Sequence, residues 1–217
     1  MKNITIAIAA LALSFNAVAN EATKEKKAPK AAAASKATLD VAASSATWTG
    51  KKLAGTHTGK VSFKDGEFEY KKGKLVKGEV DVDLNSITNE DMKDAEYNKK
   101  LVGHLKSEDF FGVEKFPVAT FKITSFSEIH NFVAGQPNME VKGNLTIKGV
   151  TKPYSTKLFF TPNENGFEAK GKIVIERTQF GLKYSAKKFL SVDKLKEIGD
   201  KLIDDNFELD LNLVAKK

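Results

Sequence analysis

The chain has 217 residues, a formal charge of +7, 41% hydrophobic residues and no cysteine. Without cysteine it has no disulfide, no thiolate metal site and no thiol nucleophile, so its stability must come from a packed core. Once an export segment is set aside, the length suits one domain, since large β barrels often exceed about 150 residues.

Residues 1–19 read as a secretory signal: Lys2, an apolar run from Ile4 to Leu13, and Ala17-Val18-Ala19 as a small-residue site cleaved after Ala19. The run is shorter than the about 20 residues of a membrane span, and an exported protein is expected. Residues 20–37, rich in lysine and alanine with no larger apolar anchor, read as a flexible tether. The leader holds one unit of the net charge and the tether three (five lysines against two glutamates), which leaves +3 on residues 38–217. There lysine is interleaved with acid, as in DGEFEYKKGK. No concentrated basic face for nucleic acid is expected, and at most a peripheral membrane contact through the tether.

Past the tether, apolar and polar residues alternate, the period of a strand with one dry face. The predicted strands are 38–42, 46–52, 56–64, 67–71, 74–85, 118–127, 138–148, 151–161, 166–177 and 206–215. Asp65-Gly66 and Asn165-Gly166 are the strongest hairpin signals, Lys72-Gly73 and Lys148-Gly149 weaker ones. Two stretches break the alternation. Residues 89–111 favour helix, with Ser107 before Glu108-Asp109 reading as a helix start. Residues 193–198 do so again, with Gly199 as the stop. The expected fold is all-β: an extended antiparallel β-barrel of about eight strands, closed so that no edge is exposed, with one or two short helices at the barrel ends.

Gly59, Gly143 and Gly171 fall on the inward parity of their strands, which marks either bends or space kept open inside. Phe121, Ile123, Leu145, Ile147, Leu158, Phe160, Ile173, Ile175, Leu209 and Leu211 are the residues expected to line the interior. Phe110, Phe111 and Phe116, just before Pro117, can plug a barrel mouth, gate a tunnel or serve as core. Arg177 is the sole arginine, at an inward position of its strand. Its planar fork suits either an ion pair with Glu108 or Asp109 that seals the barrel end, or a ligand head group. Trp48, the sole tryptophan, is core or lining. His57, His104 and His130 have no metal-ligand spacing and no triad or G-x-S-x-G context, so no metal and no catalytic residue is assigned, and the expectation is a protein that is not an enzyme.

Three stretches, GHLKSEDFFGVEKFPVATFKIT (103–124), VKGNLTIKGVTKP (141–153) and IERTQFGLKY (175–184), taken in this order and spacing, resemble the YceI-like family of exported, lipocalin-like proteins, also called polyisoprenoid-binding proteins. The resemblance covers essentially all of 38–217. It implies a periplasmic protein whose barrel holds an elongated apolar tunnel for an isoprenoid chain, a quinone tail or a polyprenyl phosphate. On that reading Gly143, Gly171, Arg177, the three mouth phenylalanines and the lining residues above form the binding site. The function implied is non-enzymatic binding, transport or storage of an isoprenoid lipid, with no cofactor beyond that lipid, by a monomer or homodimer. The alternative is an envelope stress or interaction module with a filled barrel, whose function lies on the surface loops. The chain departs from the family pattern in a longer insert before HLKS, with Lys106 where arginine is common, and in a longer loop at 185–205.

Overall fold

The alternation at Met139–Ile147 is realised residue by residue: Met139, Val141, Gly143, Leu145 and Ile147 are buried, and the residues between them are not. Residues 35–71 and 74–217 are described in the computed structural model; the leader and the tether as far as residue 34 lie outside them. Nine strands follow: β1 (Ser35–Leu39), β2 (Ser45–Lys52), β3 (Gly55–Lys71), β4 (Lys74–Asp83), β5 (Val118–Glu128), β6 (Met139–Ile147), β7 (Val150–Asn163), β8 (Gly166–Glu176) and β9 (Ile203–Lys216). All strand pairs are antiparallel. The chain of neighbours β2-β9-β8-β7-β6-β5-β4-β3 returns to β2, so eight strands close a barrel. Closure removes the free edges that so long a sheet would otherwise present.

Strand β1 fills a seam. It pairs with the second half of β3 and with the end of β9, where β2 has no residues to offer. The barrel therefore takes in Ser35 to Ala37, which composition assigns to the tether. Ala37 lies opposite Phe68 and is 1% exposed.

The turns obey local chemistry unevenly. Lys148 and Gly149 both have positive φ (49° and 73°) between the paired residues Ile147 and Val150, a two-residue primed turn. The β7–β8 hairpin forms, with Glu164-Asn165 as the turn and Gly166 already paired to Asn163. Lys72-Gly73 lies outside the described residues, between the paired Lys71 and Lys74. Asp65-Gly66 is not a turn. A bulge lies at this point of the β3–β4 pairing, between Phe63 and Asp65, and β3 runs on as a single strand. The bulge moves the inward parity from Val61 and Phe63 to Gly66, Phe68 and Tyr70.

Helix α1 (Ala95–Lys106) lies between β4 and β5, and α2 (Val192–Ile198) between β8 and β9. Asp94 starts α1, its carboxylate accepting from the backbone N–H groups of Glu96 and Tyr97 at 2.9 and 3.0 Å. Ser107 ends that helix instead of starting one, donating its N–H to the carbonyls of Gly103 and His104. The competing cap is Asp94, which stands before a full helical run, whereas Ser107 is followed within ten residues by Pro117. Ser191 caps α2 and Gly199, at φ 49°, stops it. Because the strands alternate in direction, the β4–β5 and β8–β9 connections leave from the same end of the barrel, here called the mouth.

Candidate functional site

An apolar cavity of about 410 Å³ runs inside the barrel, within the roughly 300–1,000 Å³ of small-molecule sites. Its middle wall is made of Ile123, Val141, Leu145, Leu158, Ile173, Leu209 and Leu211, which share inward parity on β5 to β9. The end away from the mouth is closed by packed aromatics. Phe167 meets Phe68 edge-on at 4.8 Å and Phe160 at 5.1 Å, and both Phe68 and Phe167 are 2% exposed.

The mouth is built from the two long connections. Leu101, His104 and Leu105 of α1 present one face to the cavity, joined by Phe110 and Phe111 after the helix. His104 stacks edge-on against Phe110 at 5.0 Å and Tyr184 at 4.6 Å, and its Nε2 lies 3.3 Å from an Asp109 oxygen. Phe111 faces Phe207 of β9 at 6.2 Å. Lys52, Lys201, Asp204 and Asn206 add polar groups to the lining at this end.

Arg177 also lines the cavity and is 3% exposed. Each of its three nitrogens donates to a backbone carbonyl: Nε to Asp204 at 2.8 Å, Nη1 to Leu182 at 2.7 Å and Nη2 to Ile203 at 3.1 Å. Burial holds its pKa below the ordinary arginine value, and the charges of Asp205 and Asp204 oppose that shift. It makes no ion pair with Glu108 or Asp109, which instead meet Lys115 and His104. The guanidinium thus knits the 177–182 turn to the start of β9, and the ring of Phe110 lies 5.8 Å from it.

The wall is incomplete between β7 and β8. Strands β7 and β8 pair only over Phe159–Asn163 and Gly166–Lys170, while β6–β7 and β8–β9 pair along their length. Toward the mouth the gap is spanned by a side chain: the Tyr154 hydroxyl donates to the carbonyl of Val174 at 2.8 Å. Pro153 stands in this unpaired half of β7, where a missing N–H costs no partner on β8. Burial raises the Tyr154 pKa, and the bond to Val174 acts against the rise.

Of the expected interior residues, Phe110, Phe111, Phe121, Ile123, Leu145, Ile147, Leu158, Phe160, Ile173, Ile175, Arg177, Leu209 and Leu211 line the cavity, and Trp48 joins them. Three expected residues do not. Phe116 packs over Gly149 and Gly112, on the outside of the β6–β7 turn. Gly143 keeps no space open: a Cβ there would sit 2.2 Å from the carbonyl oxygen of Lys122, because β5 bulges toward it between Ile123 and Ser125. Gly171 is covered by Leu158, whose Cδ2 lies 2.7 Å from where a Cβ would be. Gly59 serves a similar close approach, since a Cβ would lie 1.9 Å from the Thr88 oxygen that accepts from the Trp48 indole. Tyr154, Thr156, His104 and Tyr184 line the cavity without having been singled out. Tyr154 and Thr156 share the parity of Leu158 and Phe160, and Leu101, His104 and Leu105 share a helix face, so that signal was present.

A family model described as the YceI-like domain matches residues 38–215. The chain belongs to this family. Among relatives of this YceI-like domain, a UPF0312 protein of Shewanella denitrificans is 36% identical over 93 residues, 43% of this chain and 44% of the relative. Protein YceI of Salmonella arizonae is 35% identical over 117 residues, 50% of this chain and 54% of the relative. The chain thus spans about half the length of the curated relatives it matches. Two solved structures share the fold. Burkholderia cenocepacia BcnA aligns over 81% of this chain and 98% of its own at 20% identity with a TM-score of 0.58. A polyisoprenoid binding domain from Saccharophagus degradans, implicated in plant cell wall breakdown, aligns over 83% and 97% at 17% identity with a TM-score of 0.56. The two segments expected to depart from the family pattern both lie at the mouth: the residues before HLKS lead into α1, with Lys106 donating to the Asn85 carbonyl at 2.6 Å, and residues 185–205 contain α2.

Proposed function

We propose that this protein binds the chain of an isoprenoid lipid, a quinone or a polyprenyl phosphate, inside its barrel and carries or stores it in the periplasm without chemical change. The observation that supports this reading is the cavity itself: walled by aliphatic side chains, closed at one end by Phe68, Phe160 and Phe167, and lined by α1 at the other. Such a shape receives a linear apolar chain tail-first and leaves its head at the mouth. An apolar cavity of about 150 Å³ takes one benzene, so 410 Å³ takes on the order of three isoprene units.

Burying one unit of five carbons contributes roughly 3 to 4 kcal/mol before ordering costs, at about 0.8 kcal/mol per methylene-sized group. A neutral head contact nets only about 1 kcal/mol. The tail therefore dominates the affinity. The polyisoprenoid-binding function named for the Saccharophagus degradans relative is consistent with this reading.

Mass spectrometry of lipid extracted from protein purified out of its native envelope tests the proposal. A prenyl lipid near one per protein is expected. Ile173→Trp or Leu209→Trp, which push an indole into the middle of the cavity from two paired positions, should remove most of it. Protein that carries no prenyl lipid, or tryptophan variants that carry as much as the parent, would contradict it.

A further inference from the structure

The net positive charge of the barrel is not spread over its surface. Residues 178–202 hold six lysines against three acids, +3, which equals the whole net charge of residues 38–217. The rest of 38–217 sums to zero. The basic segment lies at the mouth, and within it Lys183, Lys187 and Lys201 pair with no carboxylate among the described residues, nor does the neighbouring Lys52; Lys188 and Lys194 do pair, with Glu176 and Glu197.

The same rim exposes large apolar side chains. Leu53 is 70% exposed, Val192 69%, Phe189 50% and Tyr184 42%. They belong to one region. The N–H of Leu53 donates to the Leu202 carbonyl at 3.0 Å, Ile203 donates to Ser185 at 3.0 Å, and Phe189 donates to Ala186 at 3.1 Å. Lys183 sits over the Phe189 ring at 4.8 Å. Lys52, Lys201 and Tyr184 of this rim also line the cavity.

Exposed apolar tips among unpaired lysines are matched in chemistry by one surface, an anionic bilayer, where the lysines meet head-group phosphates and the apolar tips enter the acyl boundary. We infer that the mouth rim, formed by the β2–β3 turn and the 183–201 segment, docks on an anionic membrane and turns the cavity opening toward the lipid. A chain leaving the cavity would then reach the acyl layer without crossing water. The inference rests on the lipid-binding reading for its purpose, but it is measured without bound ligand, so the two fail separately.

The experiment is flotation of delipidated full-length protein with vesicles of phosphatidylcholine containing about 30% phosphatidylglycerol, against phosphatidylcholine alone. Binding should appear only on the anionic vesicles and fall as salt rises. A triple Leu53→Ser, Phe189→Ser, Val192→Ser variant and a triple Lys183→Glu, Lys187→Glu, Lys201→Glu variant should each bind at least about tenfold more weakly, with unchanged thermal unfolding because every position is exposed. Replacing the four tether lysines that precede the barrel, Lys24, Lys26, Lys27 and Lys30, with glutamine should leave most of the binding in place. Rim variants that bind like the parent, or binding that vanishes with the tether lysines alone, would overturn the inference. So would a concentration-dependent dimer that the serine triple abolishes, which would make the rim an interface between copies.

Discussion

Arg177 shows how one side chain can be misjudged when only its chemistry is known. Its isolation among lysines signals a need for a planar fork, and the fork is used, but on the carbonyls of Leu182, Ile203 and Asp204. Carbonyl partners five to twenty-seven residues away are invisible to any reading of charge pattern. Arg177→Lys keeps the charge and loses the fork, so it should lower stability by about 2–3 kcal/mol in urea unfolding while leaving the lipid carried per folded molecule within about twofold of the parent. Lipid loss without loss of stability would return Arg177 to the role of head-group reader. Gly143 makes the parallel case for absence of a side chain. A methyl there meets the Lys122 carbonyl at 2.2 Å, so Gly143→Ala should destabilise by about 1–3 kcal/mol through forced backbone shifts, measured the same way. A neutral result would mean that β5 can yield at its bulge.

At the scale of elements, strand identity was legible because alternation is a local property: eight of the nine strands correspond to predicted ones, β3 being two predicted strands joined. What escaped is what depends on partners. Asp65-Gly66 carries a turn signal, yet β4 pairs with β3 on both sides of it and the dipeptide becomes a bulge in a continuous ladder. The β7–β8 gap likewise follows from register, and only Pro153 hinted at an unpaired edge. The link from β8 into the mouth carries its own pH dependence. Glu176 accepts from Lys188, Gln179 and Thr178, which hold its pKa down to about 2. Its contribution to stability is therefore fully present above the unfolded value of about 4.5 and is lost as pH falls through about 2. Glu176→Gln should lower the unfolding temperature at neutral pH, and the difference from the parent should shrink on acidification from about 4.5 and vanish near 2. A difference that stays constant across that range would remove the carboxylate from the account.

For the molecule as a whole, the barrel and its dry interior were readable because inward positions repeat through the strands, and thirteen of the sixteen expected site residues do line the cavity. Where the empty space lies was not readable. The three core-facing glycines allowed either bends or open space; each is covered by backbone or by a neighbouring side chain, and the cavity instead follows the larger aliphatic residues of the middle wall. Cavities are set by how opposing walls fail to meet, a property of the closed sheet and not of any one strand. The mouth is likewise assembled from segments far apart in sequence, α1 and the 177–202 connection, brought together by strand direction.

Trp48, the sole tryptophan, lines the cavity and so reports on whatever enters it. The most direct test is quenching of its fluorescence by a series of isoprenoid quinones sharing one head group and differing only in the number of prenyl units. The cavity volume predicts that Kd falls at least about tenfold with each of the first three units and then levels off. Binding that ignores chain length, or no quenching by any member of the series, would contradict a barrel that holds a prenyl chain.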